Sequence, residues 1–109
     1  MALEHASSGE PIDVRPLGAQ LAERKTTALF KARDLEVIRL VLPQGGELPP
    51  HRVPGEITIH CIEGALDITL DAEVRSLAAG ELMFLAGGEV HAVRATSPSS
   101  ALVTIALRI

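Results

Sequence analysis

Aromatic side chains are nearly missing from this chain: of its 109 residues only Phe30 and Phe84 are aromatic, and there is no tryptophan or tyrosine. A core built without them must be filled by Val, Ile, Leu and Ala, and a ligand pocket has little ring surface to offer for stacking. Cysteine is scarcer still. The single Cys61 excludes an internal disulfide and is too few for a thiolate metal cluster, which points to a reducing, intracellular compartment. Basic residues do not cluster, and the net charge of −4 leaves no footprint for nucleic acid. No stretch approaches the ~18 apolar residues of a membrane span. The opening Met1-Ala-Leu-Glu-His-Ala-Ser-Ser also lacks the positive start and apolar run of a secretory leader. The expectation is a soluble cytoplasmic protein with neither nucleic-acid nor membrane partners. Its length fits one domain with one modest core.

What the chain does contain is a series of short strands. Residues 1–15 carry Ser7, Ser8, Gly9 and Pro11 with little periodicity, and read as a flexible or edge-covering arm ahead of a single domain over residues 16–109. Leu17 and Leu21, four apart after Pro16, predict one short helix up to Arg24. Thr26–Ala32 and Leu35–Leu42 form a predicted hairpin turning at Arg33-Asp34. In its second strand Ile38, Leu40 and Leu42 alternate with Arg39, which places the even set inward. Leu48-Pro49-Pro50 cannot donate a full ladder of hydrogen bonds and must run along an edge. Beyond Gly55, the apolar Ile57, Ile59 and Cys61 alternate with Glu56, Thr58 and His60, a period of two. Further strands follow over Leu66–Leu70, Val74–Leu77, Glu81–Leu85 and Val90–Thr96. The polar loop Ser97-Pro-Ser-Ser100 leads to a last strand from Ala101. Turn signals every eight to twelve residues, without the helices that parallel crossovers need, give an all-β antiparallel barrel.

Two stretches repeat one order of features: glycine, strand or proline run, turn, histidine. The first is Gly45-Gly-Glu-Leu-Pro-Pro-His51, running on to Glu63-Gly64, and the second is Gly80-Glu-Leu-Met-Phe-Leu-Ala-Gly-Gly-Glu-Val-His91. The pair resembles the two motifs of the cupin superfamily. Gly45, His51 and Gly64 match the first motif; Gly80, Gly88 and His91 match the second. The resemblance implies a double-stranded β-helix, or jelly roll, with His51 and His91 on neighbouring strands facing one cavity. It also implies a metal or small molecule held inside, and commonly a homodimer. The chain departs from the pattern where the family has a second histidine and a glutamate, here Val53 and Ile57, with Glu56 one residue out of step. Ala86 and Ala95 stand at the second motif's proline and asparagine.

Two histidines fall short of the three protein ligands usual for a catalytic metal. A third ligand would have to come from Glu56 through a register shift, from His60 on the opposite face or from another chain, so no cofactor is firmly implied beyond a weakly held divalent ion such as Zn, Ni, Fe or Mn. Imidazole switches charge around pH 6.5, so His51 and His91, with Arg52 beside them, also suit a small anionic ligand. Glu56 and His60 read as an exposed or dimer-contact pair, Arg94 as surface charge pointing away from His91, and Cys61 as a small hydrophobe. Three function classes follow. The first is a small-molecule-binding protein of sensor or carrier type; the second is a metal-dependent enzyme of the oxygenase or isomerase class; the third is a structural protein with an unused cavity.

Overall fold

The computed structural model describes residues 5–107; the first four residues of the expected arm and the last two of the final strand lie outside them. Among the described residues a 3-10 helix, Gly18–Glu23, precedes nine strands. These are β1 (Thr27–Lys31), β2 (Leu35–Leu42), β3 (Glu47–His51), β4 (Ile57–Glu63), β5 (Ala65–Leu70), β6 (Glu73–Ala78), β7 (Leu82–Leu85), β8 (His91–Ala95) and β9 (Ser99–Ala106). They form a five-stranded sheet, β1-β2-β9-β4-β7, and a four-stranded sheet, β3-β8-β5-β6. Every pairing is antiparallel. Pairing of β2 with β9 and of β3 with β8, strands far apart in the chain, is the wrapping of a jelly-roll barrel: strand spacing predicts the antiparallel barrel, and the motif resemblance implies the jelly roll.

Period-two alternation decides what fills the space between the sheets. Leu40, Leu42, Ile59, Cys61, Leu66, Ile68, Val93, Ala95 and Ala101 all lie in inward registers and form one buried cluster. Each fully buried Ile or Leu among them contributes about 1.5–3 kcal/mol, so this cluster rather than any single contact holds the sheets together. Two turns illustrate the local causes. β5 and β6 are joined by Asp71 and Ala72, and Asp71 takes φ 54°, a left-handed conformation that aspartate tolerates. Gly55 lies so close to the carbonyl of Ala106 that a Cβ there would collide with its oxygen.

Burial of the interior is uneven from one end to the other. Along β2 and β9 burial is complete at Leu42, Leu40 and Ala101, and relaxes through Ile38, Val103 and Ile105. Along β5 it relaxes from Leu66 and Ile68 to Leu70, which pairs with His91. The β7–β8 connection ties Leu85, in the Ile57–Ile105 row, to that same histidine end. The less buried end of the barrel, its mouth, is therefore the end at which His91 sits.

Two features differ from the sequence reading. Ser99 and Ser100 belong to β9 and are 1% exposed, although the run Ser97-Pro-Ser-Ser100 reads as a polar loop. Their hydroxyls make burial tolerable: Ser99 Oγ donates its one proton to the Ser97 carbonyl at 2.7 Å, with the Ala65 carbonyl at 3.1 Å as the alternative acceptor, and accepts from the Ala65 amide. The outward face of β2 is also covered. The 3-10 helix and the segment before it pack over it, and Arg39 in the outward register is only 7% exposed. This segment additionally reaches the free edge of β1, where the Ala6 amide donates to the Leu29 carbonyl at 3.0 Å.

Candidate functional site at the barrel mouth

β3 is an edge strand paired only with β8, as prolines require. Leu48 opposes Val93, but the next registered pair is His51 with His91: three residues are spent on β3 against two on β8. This bulge at Pro49-Pro50 resets the side-chain parity. Without it His51 and Leu48 would fall on opposite faces of the sheet; with it His51 lands against His91. The two imidazoles stand with centroids 4.3 Å apart and planes tilted by 56°. His91 is 4% exposed, in the same register as Val93 and Ala95, whereas His51 is exposed at the rim.

Each ring is anchored in the same way. His51 Nδ1 lies 2.9 Å from the Pro49 carbonyl oxygen and His91 Nδ1 lies 3.0 Å from that of Glu89, each two residues back. A carbonyl oxygen only accepts, so both Nδ1 atoms carry the proton, and in a neutral ring Nε2 keeps its lone pair for something else. Val53, partly buried, packs against the core, and its carbonyl accepts from the Gly88 amide at 2.8 Å. That bond ties the two motif turns together. The site thus offers two Nε2 edges beside an apolar mouth.

The remaining sequence candidates are dispersed. Arg52 is exposed and has no partner among the described residues. Glu56 is exposed before β4, and its carbonyl accepts from Ala106. Among the described residues no three His, Cys, Asp or Glu side chains come together to hold a metal ion, so Glu56 does not join the histidines. The donors among the described residues do not fit a three-ligand metal centre. Arg94 faces outward, 3.9 Å from Glu47, and His60 is half-buried on the outer face of the five-stranded sheet between Leu82 and Leu102. Cys61 is fully buried; burial pushes its thiol pKa up, with a smaller opposing effect of its bond to the Glu63 carbonyl.

Sequence reasoning passed over Glu36 and Glu63. Glu36 is in the inward register of β2 at the mouth and pairs with Ile105; the signal was a charged residue opening an otherwise apolar inward row. Glu63 instead works at the more buried end. Its carboxylate accepts from the Leu17 amide (2.9 Å), the Gly18 amide (3.0 Å) and the Ser100 hydroxyl, and lies 3.6 Å from Arg39. Burial raises its pKa, but those hydrogen bonds and the Arg39 charge outweigh it and hold the carboxyl below its ordinary value.

Comparison with known proteins places the whole arrangement. Solved structures of the same fold include a conserved protein of unknown function from Streptococcus pyogenes, 20% identical over 100% of this chain and 96% of the other, with a TM-score of 0.76. An RmlC-like cupin from Desulfovibrio desulfuricans is 23% identical over 89% and 97% of the two chains, TM-score 0.75. A cupin superfamily protein from Desulfitobacterium hafniense is 15% identical over 99% and 100%, TM-score 0.78. No curated protein matches the sequence. The family model described as "Cupin domain" matches residues 38–107, which include both histidine turns and eight of the nine strands wholly or in part. With that match across well over half of the sequence, this chain belongs to the cupin family.

Proposed function

We propose that the protein is a small-molecule-binding cupin of sensor or carrier type, which takes an anionic ligand at the His51–His91 pair. The observation that carries this reading is the identical anchoring of both rings, which leaves two Nε2 edges side by side at an apolar opening. A neutral ring accepts a hydroxyl proton there, and a protonated ring donates to an oxyanion. Arg52, exposed, next in sequence to His51 and without a partner among the described residues, adds positive charge to the surface near the rim that favours the approach of a carboxylate. No reaction is required of these groups.

The second reading, a metal-dependent enzyme, is favoured by the same Nδ1–carbonyl bonds, because metal-ligating histidines commonly donate their second ring nitrogen to a backbone carbonyl. Against it stands the count of donors. A divalent ion on two neutral imidazoles leaves its charge uncompensated near an apolar interior. Thermal-shift screening with small carboxylates, combined with metal analysis of protein purified without chelator, tests the proposal. The expected outcome is stabilisation by a carboxylate that His51→Ala and His91→Ala each abolish with the circular dichroism spectrum unchanged. One equivalent of tightly bound transition metal per chain would move the second reading to first place, and hits that stabilise both variants as well as the parent would overturn the proposed site.

A further inference from the structure

One charged side chain at the mouth has no part in the anion site. Glu36 is half-buried in the inward register of β2, in one row with Ile105 of β9 and Ile57 of β4. The next inward row holds Ile38 and Val103, both apolar. Among the described residues the Glu36 carboxylate has no hydrogen bond and no ion pair. Lys31 opposes it on β1 but is exposed and does not pair with it. A carboxylate beside an apolar wall is stabilised by water or by a donor that reaches it, and by nothing else.

The path of the chain sets what Glu36 faces. β2 ends at the buried Leu42, the Gly45 amide and the Gly46 carbonyl bond Ala95 at 2.8 and 2.9 Å, and β3 then runs back along the other sheet to His51. The first residues of β2 and the last of β3 therefore share the mouth, on sheets that pack about 10 Å apart. Among the described residues no three His, Cys, Asp or Glu side chains come together, so Glu36 stands further from the imidazole pair than one ion bridges. Neither phenylalanine is in an inward register, which leaves an aliphatic wall between them. A plain monoanion drawn to the histidines is repelled by Glu36. We infer, on the reading of the mouth proposed above, that Glu36 is its specificity-determining residue and selects a zwitterion: a short aliphatic ω-amino acid whose carboxylate meets the two Nε2 edges and whose ammonium donates to Glu36. That second contact is a charge-assisted hydrogen bond, and an acid without the ammonium leaves Glu36 facing a like charge.

The test is titration calorimetry of the full chain with β-alanine, γ-aminobutyrate, δ-aminovalerate and ε-aminocaproate, each against the unaminated acid of the same length. At least one amino acid is expected to bind about tenfold or more tighter than its plain counterpart, the scale of one close charge pair. Glu36→Gln keeps the shape and removes the charge; it is expected to cancel that preference and to bind the plain acid more tightly than the parent does, because the repulsion is gone. Lys31→Met is expected to leave the preference in place, and His51→Ala to abolish binding of both ligands. A parent that does not favour the amino acid, a Glu36→Gln variant that still favours it, or a Lys31→Met variant that loses the preference refutes the role of Glu36 and leaves the mouth standing as an anion site. If no member of either series binds, or if His51→Ala binds both unchanged, the reading of the mouth fails and the role of Glu36 with it. Should Glu36→Gln not fold, the comparison of paired ligands on the parent and on Lys31→Met decides.

Discussion

Replacing Glu63 by glutamine tests how the N-terminal segment is held to the barrel. The carboxylate gathers the Leu17 and Gly18 amides, the Ser100 hydroxyl and the Arg39 guanidinium, and its side chain is 16% exposed. Glutamine keeps one carbonyl oxygen, but turns an amino group toward donors that need acceptors. A hydrogen bond to a charged group is worth about 1.5–3 kcal/mol, and removing one partner of a buried ion pair costs about 3–5 kcal/mol because the other charge stays behind. The pair here is at 3.6 Å, and Arg39 keeps the Arg15 carbonyl as an acceptor. The loss should therefore fall below that ceiling, at about 2–3 kcal/mol. For a domain of this size that lowers Tm by on the order of 10–20 °C. Calorimetry at pH 7 measures it, and hydrogen exchange should show the Leu17 and Gly18 amides deprotected. The sign with pH follows from the depressed carboxyl. Its folded value lies below the ordinary 4.5, so the stabilisation is fully present above about pH 4.5 and is lost as pH falls through the folded value. The gap between parent and Glu63→Gln must then narrow on acidification. A Tm change under about 2 °C, corresponding to well under 1 kcal/mol, or a gap that does not vary with pH, would refute the clamp.

Gly55→Ala must push β4 and the end of β9 apart, since the added Cβ meets the Ala106 carbonyl oxygen; a loss of about 1–3 kcal/mol in urea unfolding is expected. Cys61 should resist iodoacetamide in native buffer and react fully in denaturant, because the thiol is buried and its pKa raised by burial. Labelling of the folded protein at the denatured rate would contradict the core position. The expected homodimer has a candidate surface at β7, which has no outer neighbour in its sheet and exposes Leu82 and Phe84. Light scattering should give a dimer that Phe84→Glu converts to monomer; a monomeric parent would end that expectation.

Alternation and turn chemistry were enough to read the barrel from the sequence. The hairpin of β1 and β2, the inward even set of β2 and the edge position of Leu48-Pro49-Pro50 follow from period two and from proline's missing donor, which act locally. The histidines were legible as a pair through the resemblance of the stretches Gly45–His51 and Gly80–His91 to the two cupin motifs. That they face one another was implied only by the resemblance and does not follow from the pattern of β3 itself, because it depends on a bulge, and a bulge is a property of two strands in register. Counting along β3 alone puts Leu48 and His51 on opposite faces. Glu56 remained a candidate ligand for the same reason, until the register of β4 left it outside any ligand group. The burial of Arg39 was equally hidden. An arginine alternating with leucines reads as solvent-facing, and only the packing of residues before the 3-10 helix over the outer sheet turns that position inward, with Glu63 and Ser100 brought to it from β4 and β9. One-strand patterns carry the identity of faces, whereas which faces are covered, and which side chains meet across them, is set by long-range pairing.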